Sequence, residues 1–157
     1  MNSIRSLIFI VLVSFPLYSK AQLQRVTFEE LDSLQLLEPR SVAVFVHTDW
    51  CKFCQAMLSV SFENAEVQNI LNQSFYFIEL NGECKDDIRF QNHVFSFKPS
   101  GNGAGVHELA EQLAFIIDHI SYPTFCVLNS EYEIAFQFAQ FMSANSLIEV
   151  LNRLSAQ

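Results

Sequence analysis

Two cysteines separated by two residues, in Trp50-Cys51-Lys52-Phe53-Cys54, lie between a strand pattern and a helix pattern, and no other stretch constrains the chain as tightly. Val42, Val44 and Val46 alternate with Ala43 and Phe45 as in a buried strand, His47-Thr48-Asp49 ends it, and Ala56, Met57 and Val60 begin a helical stripe. This places Cys51 at a helix N-terminus. There, unpaired N–H groups and the positive end of the helix dipole lower a thiol's pKa from its free value of about 8.5. The thiolate is the attacking species, so Cys51 reads as a nucleophile. Cys54, one helical turn further in, reads as the resolving thiol that attacks the mixed disulfide and closes Cys51–Cys54. Lys52 adds a positive charge that favours a Cys51 thiolate if its ammonium does not turn to water. Phe53 is expected to present apolar surface to a partner.

Two competing readings of the spacing are weaker. A zinc site would need Cys84, Cys126 or His47 as further ligands, yet no second close Cys/His pair supplies the usual interval, so no metal is expected. A purely structural disulfide would close too short a loop to remove much unfolded-state entropy, whereas a short loop suits a bond that opens and closes.

The first 21 of the 157 residues read as a secretory signal peptide. Arg5 lies in the n-region, an apolar run extends from Leu7 to Tyr18, and Ser19-Lys20-Ala21 offers small residues for cleavage. The run falls short of the roughly 20 residues of a comfortable membrane span, so no stable membrane insertion is expected after cleavage. The expected location is periplasmic or secreted. Removing this segment leaves 7 Lys+Arg against 17 Asp+Glu, a formal charge of −10, which makes nucleic acid an improbable partner. Residues 22–157 suffice for one domain with its own core.

Thr27 and Glu30 form a capping-box signature before Leu31, Leu34 and Leu37, predicting a helix that ends before Pro39. After the motif helix, Asn64-Ala65-Glu66 starts a second helical piece with Val67, Ile70 and Leu71, and Phe75 to Leu80 reads as a buried strand. All four glycines fall between Gly82 and Gly105, which marks residues 83–121 as an insertion. Within it, Ile88-Arg89-Phe90 and Val94 to Phe97 flank Gln91-Asn92-His93 as a hairpin, a Gly-rich loop follows Pro99, and a helix runs from about Val106 to Ile117. A strand from Phe125 to Leu128, a turn at 129–131, and a strand with Ile134, Phe136 and Phe138 on one face come next. The closing helix carries Leu147, Ile148, Leu151 and Leu154, with Ser143 as N-cap.

The strand leading into Asp49-Trp50-Cys51-Lys52-Phe53-Cys54, followed about seventy residues later by Tyr122-Pro123-Thr124 before another strand, resembles the thioredoxin superfamily, in particular exported bacterial thioredoxin-like proteins. The resemblance covers most of residues 26–155. It implies an α/β thioredoxin fold: a central four- or five-stranded mixed sheet flanked by helices, with Pro123 in the cis form beside the cysteines; the insertion at 83–121, before the cis-proline strand, is longer than the segment a minimal thioredoxin has there. Such a proline presents the backbone of Tyr122 to an extended substrate peptide. The implied activity is thiol–disulfide exchange without a cofactor, acting on protein thiols or disulfides and served by an upstream redox partner. Tyr122 stands where isomerases of the superfamily often have threonine, which favours a reductase. A non-catalytic binding module that uses Phe53, Tyr122 and the insertion is the alternative.

The chain departs from the superfamily where a buried acid usually precedes the first cysteine by six positions, because that position is Phe45. Glu79, on the next strand, is a substitute proton acceptor or else a solvated carboxylate. Trp50 is expected to shield the thiols and contact substrate, or to be core, and His47 and Asp49 lie close enough in sequence to modulate Cys51. Cys126 reads as a small buried hydrophobe. Cys84 is free, paired with Cys126, or joined to another chain. His93, His107 and His119 share no ligand spacing and are expected at the surface or in caps.

Overall fold

The computed structural model describes residues 22–156. The expected signal segment, 1–21, lies outside them. Among the described residues, no helix is long and apolar enough to cross a membrane.

The double-sided alternation around Phe45 becomes strand β1 (Ser41–His47), buried from Val42 onward. It pairs in parallel with β2 (Phe75–Asn81) and antiparallel with β9 (Thr124–Leu128), which in turn pairs antiparallel with β10 (Ile134–Phe138). The sheet order is β10-β9-β1-β2, four strands and mixed as the resemblance implies. Helix α1 (Phe28–Leu37) and α4 (Glu108–Ala114) cover the Val42, Val44 and Val46 face with Leu31, Leu109 and Leu113. The Ala43 and Phe45 face carries α2 (Lys52–Ala56), α3 (Ala65–Ser74) and α5 (Ala144–Leu154), which contribute Cys54, Leu71 and Leu147.

Local chemistry sets the ends of these helices. The Thr27 N–H donates to Glu30 Oε2 at 2.7 Å, half of the capping box. Asn64 Oδ1 accepts from the N–H groups of Glu66 and Val67, and Ser143 Oγ from Ser146 N–H. Beyond α2 the chain widens into a π-helical turn, Met57–Ser61, closed by the Phe62 N–H on the Met57 carbonyl at 2.9 Å. That turn brings Phe62 edge-on to Phe45, with ring centroids 4.8 Å apart.

Residues 83–121 are more ordered than the sequence suggests. Strands β3 (Ile88–Phe90) and β4 (His93–Phe95) form the expected hairpin, but its turn is only Gln91-Asn92, both at positive φ. The expected Gly-rich loop after Pro99 is a second hairpin, β5 (Phe97–Gly101) with β6 (Ala104–His107), turning at Asn102-Gly103. Asn-Gly suits the left-handed backbone of such turns, and both residues adopt it at φ 51° and 78°. The expected helix from Val106 to Ile117 is shorter at both ends. Val106 pairs with Lys98 in β6, His107 becomes the N-cap through Nδ1 on Leu109 N–H, and Phe115–Ile116 (β7) pairs with His119–Ile120 (β8).

One face assignment also changes. A register shift between Ile134 and Phe136 leaves Ile134 opposite Leu128 and Phe136 opposite Val127, which lie on opposite faces of the sheet. Phe136 therefore joins the motif-side core, while Ile134 does not share its face.

This packing separates two truncations. Phe45→Ala removes a fully buried ring and should lower unfolding stability by about 3–5 kcal/mol. Leu36→Ala, at a residue 88 % exposed on α1, should change it by less than about 0.5 kcal/mol in the same denaturant titration.

Candidate active site

The chain reaches the motif by leaving β1 at its carboxyl end, beside the carboxyl end of the parallel strand β2. Two loops therefore meet there and are tied by side chains. Asn81 Nδ2 donates to Asp49 Oδ1 at 3.1 Å, Asn81 Oδ1 accepts from Glu83 N–H at 2.9 Å, and Trp50 Nε1 donates to Glu83 Oε1 at 3.1 Å. The backbone adds Gly82 N–H to the His47 carbonyl at 2.7 Å. The loop carrying Trp50 is thus anchored at several points before the first cysteine.

Cys51 is the N-cap of α2, and its sulfur accepts from Cys54 N–H at 3.1 Å. The two cysteines form a disulfide. Cys54 is fully buried, whereas Cys51 retains a small accessible edge. Lys52 is exposed and makes no ion pair among the described residues. Phe53 is 67 % exposed and Trp50 64 %, so both put aromatic surface into solvent beside the disulfide.

The Tyr122–Pro123 peptide bond is cis. Tyr122 packs edge-on against Trp50, centroids 6.0 Å apart, and its phenol lies against Gly82 where any Cβ would collide with it. Burial, with a smaller contribution from the Glu83 charge, pushes the Tyr122 phenol up to about 12, so it stays neutral. Phe53, Tyr122, Pro123 and the segment Ala139–Phe141 line a groove of about 530 Å³.

Phe45 fills the position of the usual acid and stacks on His47, centroids 5.6 Å apart. Glu79, which pairs with Phe45 in the sheet, sits on the motif-bearing face. Its Oε1 lies 3.3 Å from His47 Nε2, and its Oε2 accepts from Arg25 Nε at 2.7 Å. The hydrogen bond with His47 holds the Glu79 carboxyl below the usual carboxylate range, with a further contribution from Arg25 and against the opposing effect of burial. His47 itself is buried, and its Nδ1 has no hydrogen-bond partner among the described residues.

Of the remaining candidates, Cys126 lies on the opposite face of the sheet, while the N–H groups of Cys84 and His107 donate to the carbonyls of Asn81 and Gly82. Cys126 is fully buried in β9 and burial pushes its thiol up to about 12, while Cys84 is a partly exposed free cysteine. His107 is buried as the α4 cap, and His93 and His119 are exposed. No group of metal-ligating side chains forms among the described residues. Sequence reasoning missed Asn81 and Glu83, which anchor the Trp50 loop, and Ala139–Phe141, which form the groove wall. Gly82 marked the first pair. Nothing in the local sequence marks the second, because only the return of β10 brings it beside Pro123.

Neither a protein-family model nor a curated protein matches the chain. Solved structures do. The DsbH oxidoreductase is 16 % identical at a TM-score of 0.62, covering 96 % of this chain and 96 % of that one. A thioredoxin from Thermus thermophilus is 18 % identical at a TM-score of 0.58, covering 84 % and 86 %. The C-terminal domain of DsbD from Neisseria meningitidis, in its reduced form, is 17 % identical at 0.53, covering 80 % and 91 %. With its four-stranded mixed sheet, flanking helices and Cys51–Cys54 disulfide at the carboxyl end of β1, the chain has the thioredoxin fold.

Proposed function

We propose that this protein is an exported thiol–disulfide oxidoreductase that reduces disulfides in proteins of the cell envelope. The observation that carries the reading is the disulfide between a helix-capping cysteine and a buried one, beside a cis-proline groove. In the reduced protein the Cys51 thiolate attacks a substrate disulfide R–S–S–R′, forming Cys51–S–S–R and releasing R′S⁻. Cys54, as thiolate, then attacks the Cys51 sulfur, forming Cys51–Cys54 and releasing RS⁻. Two electrons have passed to the substrate, and a partner dithiol must return them to the pair.

The protein supplies this exchange with an N-terminal helix field and the Cys54 N–H for the Cys51 sulfur, and with a groove for the substrate chain. The backbone of Tyr122 beside Pro123 offers an extended peptide an edge to pair with. Trp50 and Phe53 flank the sulfur with apolar surface that excludes water from the mixed disulfide. Lys52 adds positive charge at the mouth of the site. Export to the envelope rests on the signal-like segment 1–21.

Proton traffic at Cys54 needs a group other than Phe45. Glu79 is held ionised by His47 and Arg25, so a role in proton transfer runs through the His47 imidazole that it contacts. Glu79 is then a positioning residue.

With a dithiol as electron source, the protein should reduce insulin disulfides, and absence of turnover despite a reducible Cys51–Cys54 bond would favour a binding module. Cys54→Ala should accumulate mixed disulfides through Cys51 in intact cells, and the double variant with Cys51→Ala should form none at this site. Glu79→Gln removes a negative charge from beneath the motif and should move the pH profile of Cys54 alkylation in the reduced protein to lower pH, by about half a unit or more. An unchanged profile removes Glu79 from the proton route. The same variant should be less stable than the parent at neutral pH. Because the folded pKa of Glu79 is depressed, that gap should close as pH falls through it.

A further inference from the structure

We propose that the turn between β7 and β8, with Ile117 at its tip, is a specificity element of the redox groove that receives an uncharged, apolar, extended segment beside the cysteine of the substrate protein. This rests on the exchange reading above. It adds the chemical class of the polypeptide that the site takes.

The first observation is a residue that its own backbone disfavours. Ile117 and Asp118 join β7 to β8 as a two-residue turn, with φ of 45° and 72°. Left-handed backbone of this kind suits Asn or Gly, and a β-branched side chain is a genuine outlier there. Of the other two tight hairpins among the described residues, Asn102-Gly103 follows the rule at both positions and Gln91-Asn92 at the second. Ile117 also buries almost nothing, being 83 % exposed. An exposed isoleucine in a strained turn contributes nothing to the core of the fold, and strain of this kind collects where a chain meets a ligand.

The second observation is where the turn sits. Ile116, Ile117 and His119 line a cavity of about 320 Å³ whose other walls include Ser121, Ala139 and Gln140. Those last three residues also line the groove that holds Phe53 and Pro123. The two spaces therefore adjoin, with Ser121 and Ala139-Gln140 common to both, and together they extend from Phe53 and Pro123 to the Ile117 tip.

The third observation is charge. The chain has 17 Asp+Glu, yet no Asp, Glu, Lys or Arg lines either space. A charged segment laid along this path would lose hydration with no charged lining side chain to pair with, whereas an apolar segment gives up no charge hydration and buries Ile117. The complement of this surface is thus a stretch of uncharged side chains flanking the reacting cysteine.

The test uses the full chain and two synthetic peptides, each with one cysteine in a mixed disulfide with thionitrobenzoate. One peptide carries Val, Leu and Ala on both sides of the cysteine and the other carries Asp and Glu. The parent protein should reduce the apolar peptide at least tenfold faster at high salt. Ile117→Asn should cut that preference several-fold while leaving the rate with a small disulfide unchanged and the melting temperature unchanged or higher. Equal rates with the two peptides, a preference untouched by Ile117→Asn, or a lowered melting temperature in that variant would each overturn the proposal. If neither peptide nor the small disulfide is reduced, the exchange reading itself fails and takes this inference with it. Reduction of the small disulfide without peptide preference would overturn this inference alone.

Discussion

The site depends on a hydrogen bond between neighbours in the chain, from Cys54 N–H to the sulfur of Cys51. It exists because Cys51 occupies the N-cap of α2, where the chain has turned out of β1 but has not yet become helical. A polar or anionic atom at that point satisfies helix N–H groups that otherwise have no intrahelical partner. A thiolate is therefore stabilised by the same geometry that starts the helix. Much of the surrounding structure serves to hold that corner still: the Asp49–Asn81 and Trp50–Glu83 contacts, the Gly82 bridge to the end of β1, and the Tyr122 ring wedged between Trp50 and Gly82.

Beneath the corner, the chain has exchanged a polar solution for an apolar one. Phe45 joins Phe62, Phe77 and Phe125 in a cluster of buried rings directly under the motif helix. An ionised acid at that point would sit in apolar surroundings at a high desolvation cost. The polar groups lie instead two residues further along β1, at His47, and across on β2, at Glu79, which Arg25 reaches from the segment before α1. Packing and polar contacts thereby fall to different residues.

The sequence carried much of this architecture because several local signals agreed with the tertiary ones. The alternation at Val42–Val46 identified a strand buried on both sides, and both cores formed as that pattern implies. Thr27, Asn64 and Ser143 marked helix starts through side chains that the backbone uses there. What failed had physical causes. Val106 and His107 lie in a strand because β5 pairs with them, a non-local event that helical spacing hides. The Ile134 face was misread because a register shift cannot be seen in alternation alone. Ile117 was assigned to a helix because no propensity rule places isoleucine in a left-handed turn. The cysteines and the residues beside them were legible in the site, whereas the groove wall at Ala139–Phe141 was not, since sequence distance conceals the return of β10 to Pro123.

The central claim is that Cys51 and Cys54 form a reversible two-electron couple that works alone. Equilibrating the protein in glutathione buffers of graded ratio and counting modified thiols by alkylation and mass spectrometry tests this most directly. The account predicts one transition, confined to Cys51 and Cys54, with a tenfold change in equilibrium for each step of about 30 mV, while Cys84 and Cys126 stay outside it. A pair that does not interconvert over that range, or a transition that requires Cys84 or Cys126, would contradict it.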